Sequence, residues 1–230
     1  MPWLPELFTA PALARIWEDE RRRRLELVPF FAGLLTGETS ALVDSFAGEP
    51  ELHHPVRGRI KGVAAFERFL GGTRSWLAER DATVEDVDFV IAGGRGVEEH
   101  ILRLGGIELP VAIASDHDER GRIVEQRMYF SSFPLTGAHA IRPPVLQPTG
   151  DVRLALAVAD HHGVGVELEH CAVTDDGRAC ALEYNVVARG GTPVPPQAGL
   201  AVYVRGDDGG VTAARIYDDA TTPRSRHDDA

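Results

Sequence analysis

Three sets of residues have the types and spacing to do proton chemistry. His53 and His54 close a short run, Glu51 to Val56, in which strand alternation turns one imidazole to each face. An imidazole with an ordinary pKa of about 6.5 can serve as a base or orient a carbonyl near neutral pH. A histidine before a proline, here Pro55, also commonly caps a strand end, and both readings are open. In Val97-Glu98-Glu99-His100-Ile101-Leu102, Glu98 and His100 lie two apart and share a strand face. They form either an acid–base pair in a pocket or part of a solvated polar stripe. Arg127, Tyr129 and Ser131 share one face of a later strand, with Gln126, Met128 and Phe130 on the other. An Arg-x-Tyr pair can hold a carboxylate or oxyanion by charge-assisted hydrogen bonds. It can equally line a seam where two sheets pack.

The Arg-x-Tyr pattern recurs as Arg215-Ile216-Tyr217, at a constant offset of 88 from the first. Each copy follows an acidic-glycine turn and an apolar strand, so chance is a poor explanation and the repetition favours a structural role. The hairpins around Gly94-Arg95 and Gly177-Arg178 correspond at a slightly smaller offset.

The elements that must position these residues follow from periodicity. Apolar positions from about 11 to 37 recur at helical spacing, with Pro29 kinking or dividing the helix, and a second helix is expected over 39–46. A strand over 51–56 is followed by the loop Arg57-Gly58-Arg59-Ile60-Lys61-Gly62. A third helix over 63–80 turns Phe66, Phe69, Leu70, Trp76 and Leu77 inward. Strands are expected at 83–92, 96–104, 107–117 and 123–132, punctuated by Gly93-Gly94, Gly105-Gly106 and Gly121. Residues 137–149 hold three prolines within six positions and read as a linker. One short helix over 151–162 and strands at 165–174, 178–189, 197–205 and 210–219 follow. The expected units are therefore 1–136, the linker 137–149, and 150–230, a sheet without its share of helices and with a disordered tail.

The net charge of −11 disfavours broad contact with phosphate backbones, so nucleic acid is not an expected partner. No apolar run reaches the roughly 18 residues that span a bilayer, and the first thirty residues lack an export pattern, so a cytoplasmic protein is expected. Asp160-His161-His162 and His170-Cys171 have metal-ligand types without metal-ligand spacing, and Gly93-Gly94-Arg95-Gly96 opens no helix. Neither a metal nor a nucleotide cofactor is expected. Cys171 and Cys180 flank the turn at Asp176-Gly177, and a two-residue hairpin there would set Cys180 opposite Val173, leaving two reduced core thiols.

Helices, a short strand with His54-Pro55, a glycine-bounded entry to a helix at Gly62-Val63-Ala64-Ala65-Phe66, and a last strand Gly-x-Ile-x-Glu-x-Arg-x-Tyr together resemble the SnoaL-like branch of the NTF2-like, or ketosteroid-isomerase-like, superfamily. The resemblance covers about 12–136, and 165–220 as a sheet half. It implies an α+β cone, a curved antiparallel sheet wrapped on helices around an apolar pocket, followed by a second antiparallel sheet unit. It also implies a small apolar metabolite as ligand and a homodimer through sheet packing. Where related last strands end in Tyr-x-Asp, this chain has Tyr129-Phe130-Ser131 and keeps the acid in Tyr217-Asp218-Asp219. Two functions are then expected. One is a cofactor-independent isomerase, cyclase, hydratase or hydrolase of a carbonyl-bearing metabolite. In it, His100 or His54 moves the proton, Glu98 tunes it and Tyr129 stabilises oxygen charge, while Arg127, His53, Trp76, Phe66 and Met128 contact substrate. The other is a ligand-binding or dimerisation module.

Overall fold

The computed structural model describes residues 29–140, 142–149 and 166–219. Helix α1 (Phe30–Thr36) starts where Pro29, extended at ψ 123°, stops being helical, and ends on the left-handed Gly37. The expected stretch before Pro29 lies outside the described residues. Helix α2 (Thr39–Asp44) leads to strand β1 (Glu51–His54). The segment read as a glycine–arginine loop is instead strand β2 (Gly58–Lys61), paired antiparallel with β1. Only Ile60 of its side chains is buried, which is why its apolar content did not mark it as a strand. Helix α3 (Val63–Ala78) buries Phe66, Phe69, Leu70 and Leu77 at helical spacing.

The meander β3 (Thr83–Ala92), β4 (Arg95–Leu104), β5 (Ile107–His117) and β6 (Ile123–Tyr129) follows, within a residue of expectation except that β6 ends earlier. Sheet order is β2-β1-β6-β5-β4-β3, antiparallel except where β1 runs parallel to β6. The sheet is therefore mixed, a refinement of the antiparallel expectation. After the short α4 (Phe133–Thr136) comes a second, wholly antiparallel sheet of β7 (Val166–Asp175), β8 (Ala179–Arg189), β9 (Thr192–Arg205) and β10 (Val211–Tyr217), in the order β10-β9-β8-β7. The α+β class and the helix-poor second sheet are as expected. The helix expected over 151–162 lies outside the described residues.

The first sheet has two differently occupied faces. Leu102, Leu104, Leu109, Val111, Ile113 and Met128 pack with Phe30, Phe31, Phe66, Phe69 and Leu70 of the helices. On the opposite face Val90, Val97, Ala112, Ala114 and Tyr129 pack against Ala179, Ala181, Ala198, Leu200, Val202 and Tyr217 of the second sheet. The helix-poor sheet is thus covered by the back of the first. A bulge in β3 between Asp86 and Asp88 breaks the alternation: Asp86 sits opposite His100 and Asp88 opposite Glu99, on different faces.

The seam is polar at two repeated points. Arg127 donates through Nε and Nη2 to Glu183 at 2.6 and 3.0 Å, and the Tyr129 hydroxyl donates to the same carboxylate at 2.7 Å. Reciprocally, Arg215 donates to Glu99 at 2.8 and 2.5 Å, and the Tyr217 hydroxyl does so at 2.6 Å. Glu99, Ala112 and Tyr129 stand in one row across β4, β5 and β6, and Glu183, Leu200 and Tyr217 stand in the matching row across β8, β9 and β10. Each sheet therefore offers one glutamate and one Arg-x-Tyr, and each grips the other's glutamate.

The acid retained after Tyr217 is part of the same seam. Asp219 accepts from Ser131 Oγ and Ser132 Oγ at 2.5 Å each, and from the backbone N–H groups of Ser132 (2.9 Å) and Ala140 (2.8 Å). Burial alone would raise its carboxyl pKa, but these donors outweigh it and hold the pKa below the ordinary value. The linker is laid along this seam: Arg142 stacks on the Tyr129 ring, 4.2 Å from its centroid, and donates to the His53 carbonyl. The turn after β7 is longer than two residues, since Asp175 faces Cys180 and Val173 faces Leu182. Cys171 and Cys180 are free and buried, their pKa values pushed up to about 11 by burial.

Candidate functional site

Between the helices and the helix-facing side of the first sheet lies a cavity of about 590 Å³. Its body is apolar: Phe31 from α1, Phe69, Trp76 and Leu77 from α3, Leu102 and Leu104 from β4, Leu109 and Val111 from β5, Met128 from β6, and Phe130. Polar groups enter at His54, Arg57, Thr73, Arg80, Ser132 and Thr136. No carboxylate lines it among the described residues. A cavity of this size, apolar with a few convergent polar groups, has the character of a small-molecule site.

His54 is a half-buried polar group of the cavity lining. The turn between β1 and β2 brings the backbone N–H groups of Val56 and Arg57 onto its Nδ1, each at 3.1 Å. Nδ1 accepts both bonds, so the neutral ring carries its proton on Nε2, which has no acceptor among the described residues. The rings of Phe69 and Phe130 meet the imidazole edge to face, at centroid distances of 5.3 and 5.4 Å. Burial, with the Arg142 and Arg57 guanidinium groups, lowers the His54 pKa to about 3. At neutral pH it is a hydrogen-bond donor and a very weak base. The strand-capping and pocket-facing readings of this residue both apply, one to each ring nitrogen.

This state can be read directly. In ¹⁵N-labelled protein the His54 ring is expected to show the Nε2–H tautomer unchanged from pH 8 to pH 5; titration near 6.5 would contradict the environment described. Because the unfolded chain takes up this proton below about pH 6.5 and the folded one only below about 3, His54 withdraws stability as pH falls through that window.

The other expected site residues separate into groups. Trp76 and Met128 line the cavity with His54, whereas Phe66 is wholly buried beside it, stacked on Phe69 at 6.3 Å. Glu98 and His100 face the helix side of the sheet, as a pocket pair would, but they do not line the cavity. His100 is buried under Phe31, ring centroids 5.2 Å apart, with Nδ1 2.9 Å from Asp86 and Nε2 3.3 Å from Glu98. Burial opposes its charge, but the two carboxylates prevail and raise its pKa. Arg127 and Tyr129 lie in the seam between sheets, on the face opposite the cavity. Burial likewise opposes the charge on Arg127, and Glu183 outweighs it, raising the pKa, while burial holds the Tyr129 hydroxyl protonated. His53 points to Glu51 and Glu125, at 3.4 and 3.7 Å, away from the cavity.

Those three residues, Glu51, His53 and Glu125, are of metal-ligand type with ligand atoms within 4.8 Å of one another. Their charges are already met: Glu51 takes Arg59 (2.5 Å) and Lys61 (2.9 Å), which hold its carboxyl pKa at about 2, and Glu125 takes Arg127 (2.9 Å). The cluster has the makeup of an ion-pair network. Arg57 and Arg80, at the cavity mouth, were not singled out in the sequence, where they stand in basic loop and helix-end positions with no motif around them.

Among the described residues no helix is long and apolar enough to cross a membrane. No known family model matches the chain, and no curated protein matches it. Solved structures with some likeness include a SnoaL-like protein of unknown function from Burkholderia thailandensis, 12% identical, covering 54% of this chain and 98% of that one with a TM-score of 0.39. An NTF2-like protein of unknown function from Burkholderia xenovorans is 17% identical over 56% of this chain and 90% of that one, TM-score 0.37. The epoxide hydrolase/cyclase-like enzyme SalBIII of salinomycin pyran ring formation is 14% identical over 50% of this chain and 92% of that one, TM-score 0.40. By its own element order, two helices, a short hairpin, a long helix and a four-stranded meander closing back on the hairpin, the first unit has the NTF2-like fold.

Proposed function

We propose that the chain binds a small, apolar, carbonyl-bearing molecule in the cavity on the helix side of its first sheet. The observation that carries this reading is His54: two backbone donors occupy Nδ1 and leave an Nε2–H in the lining of a cavity whose body is apolar. A ligand oxygen would complete that donor, and the surrounding leucines and aromatics would bury the rest. Proton abstraction needs a base with a pKa near the working pH. His54 lies far below it, and no described lining residue carries a carboxylate.

A catalytic reading as an isomerase, cyclase, hydratase or hydrolase has one observation in its favour. The Glu98–His100–Asp86 cluster stands directly behind Phe31, itself a cavity wall, so a rotation of that ring would bring an acid–base pair to the ligand. Binding is the better supported function because it needs no such movement.

Calorimetric titration with a medium-chain methyl ketone and the matching alkane tests the reading. The ketone is expected to bind more tightly than the alkane, and His54→Phe to weaken the ketone about tenfold while leaving the alkane unchanged. If the ketone binds no more tightly than the alkane, the His54 donor does not select a carbonyl-bearing ligand.

A further inference from the structure

The cavity is apolar inside and cationic at its opening. Its exposed lining residues mark the mouth, and the charged ones among them are Arg57 and Arg80. Arg80 is held against the protein: its guanidinium lies 4.5 Å from the Trp76 ring centroid, donates to the Trp76 carbonyl at 3.1 Å, and has Glu79 at 3.5 Å. Arg57 lies over the Phe69 ring, 6.0 Å from its centroid, and has no carboxylate within ion-pair distance among the described residues.

In a chain with a net charge of −11, what sets Arg57 apart is its place at the cavity mouth, since Arg142 likewise meets a carbonyl and a ring rather than a carboxylate. Acidic groups are abundant enough to pair Arg59, Arg95 and Arg205, all on or near the surface. Arg57 also belongs to the turn whose N–H groups fix His54, so its guanidinium and the Nε2–H donor are set by the same three residues. A ketone would use the imidazole alone.

We infer that the occupant is an apolar carboxylic acid, bound with its carboxylate at the mouth between His54 and Arg57 and its hydrocarbon in the cavity. One carboxylate oxygen accepts from His54 Nε2–H and the other from Arg57, a charge-assisted pair in a partly desolvated site. Arg80 adds positive potential at the mouth, and no lining carboxylate among the described residues opposes it. The inference rests on the reading of the cavity as a ligand site.

The test compares dodecanoate, below its micelle concentration, with methyl dodecanoate by calorimetry on the full chain at pH 7.5. The ester keeps the carbonyl and the hydrocarbon and loses only the charge. Dodecanoate is expected to bind at least about tenfold more tightly than the ester, with the difference shrinking as salt is raised. Arg57→Gln is expected to bring the acid to within about twofold of the ester while leaving ester affinity unchanged. If the ester and the acid bind alike in the native protein, or if Arg57→Gln leaves the preference intact, the carboxylate inference is wrong and the ligand reading stands. If neither they nor the ketone bind, the ligand reading itself fails, and this inference with it.

Discussion

Glu183→Gln is expected to destabilise the protein by about 3 kcal/mol, the lower end of the range for removing one partner of a buried ion pair. In a chain of this length that corresponds to a fall in Tm of about 6–12 °C. The Arg127 side chain is fully buried, and Glu183 supplies two of its hydrogen bonds and one for Tyr129. Glutamine can keep an acceptor in place but removes the countercharge on which the guanidinium depends. Asp116 and Glu125 remain on Nη1, both partly exposed, and they keep the cost from being larger. Glu99→Gln, at the matching position, is expected to cost clearly less. There Arg215 is 29% exposed and retains Asp88 at 3.1 Å, so solvent and a second carboxylate share the charge. Urea and thermal unfolding of the two variants measure the order. Equal costs, or a greater cost for Glu99→Gln, would show that burial of the arginine does not set the energetics of the seam.

That asymmetry marks the limit of what the residues disclosed before the fold was known. The repeated Arg-x-Tyr and its structural role were legible, because an offset of 88 carries both residue types together. Glu183 was not, although it occupies the row of the second sheet that matches Glu99's: the loops and bulges between β4 and β6 and between β8 and β10 differ in length, so the glutamates fall at another offset than the tyrosines. Glu99 was visible only as the neighbour of the pair Glu98 and His100. The bulge at Asp86 and Asp88 is hidden for a related reason, since alternation assumes an unbroken period of two. Most strand bounds follow within a residue or so, because apolar alternation and glycine turns are local signals, but β9 begins at Thr192 rather than at 197, β6 ends at Tyr129 rather than at 132, and β2 stands where a loop is expected. The cavity was half legible. Trp76 and Met128 follow from helix and strand faces, whereas Arg57 depends on a turn that had been read as a loop. His54's depressed pKa comes first from burial in the folded cavity wall and then from Arg142, brought in from the linker.

A chain ending at Thr149 is expected to form a dimer through the face its second sheet would have covered. Removing residues 150–230 uncovers Val90, Val97, Ala112, Ala114 and Tyr129, an apolar surface that a monomer does not readily leave in water. It also takes Glu183 from Arg127 Nε and Nη2, leaving Asp116 and Glu125 on Nη1. The same unit carries Glu99 in the row of Tyr129, and in the full chain Glu99 accepts from an Arg-x-Tyr on the opposing sheet. Two shortened copies therefore hold everything the contact needs, each gripping the other's Glu99 with its own Arg127 and Tyr129, as a two-fold interface requires. Sedimentation at micromolar concentration is expected to give a dimer for the shortened chain. Adding Glu99→Gln to it is expected to shift the equilibrium toward monomer, with the far-ultraviolet circular dichroism of the sheet retained. The full chain satisfies the same contacts internally, so Glu99→Gln there lowers stability without changing its sedimentation. A shortened chain that stays folded and monomeric, or a dimer indifferent to Glu99→Gln, would mean that the matching rows do not determine how these sheets associate.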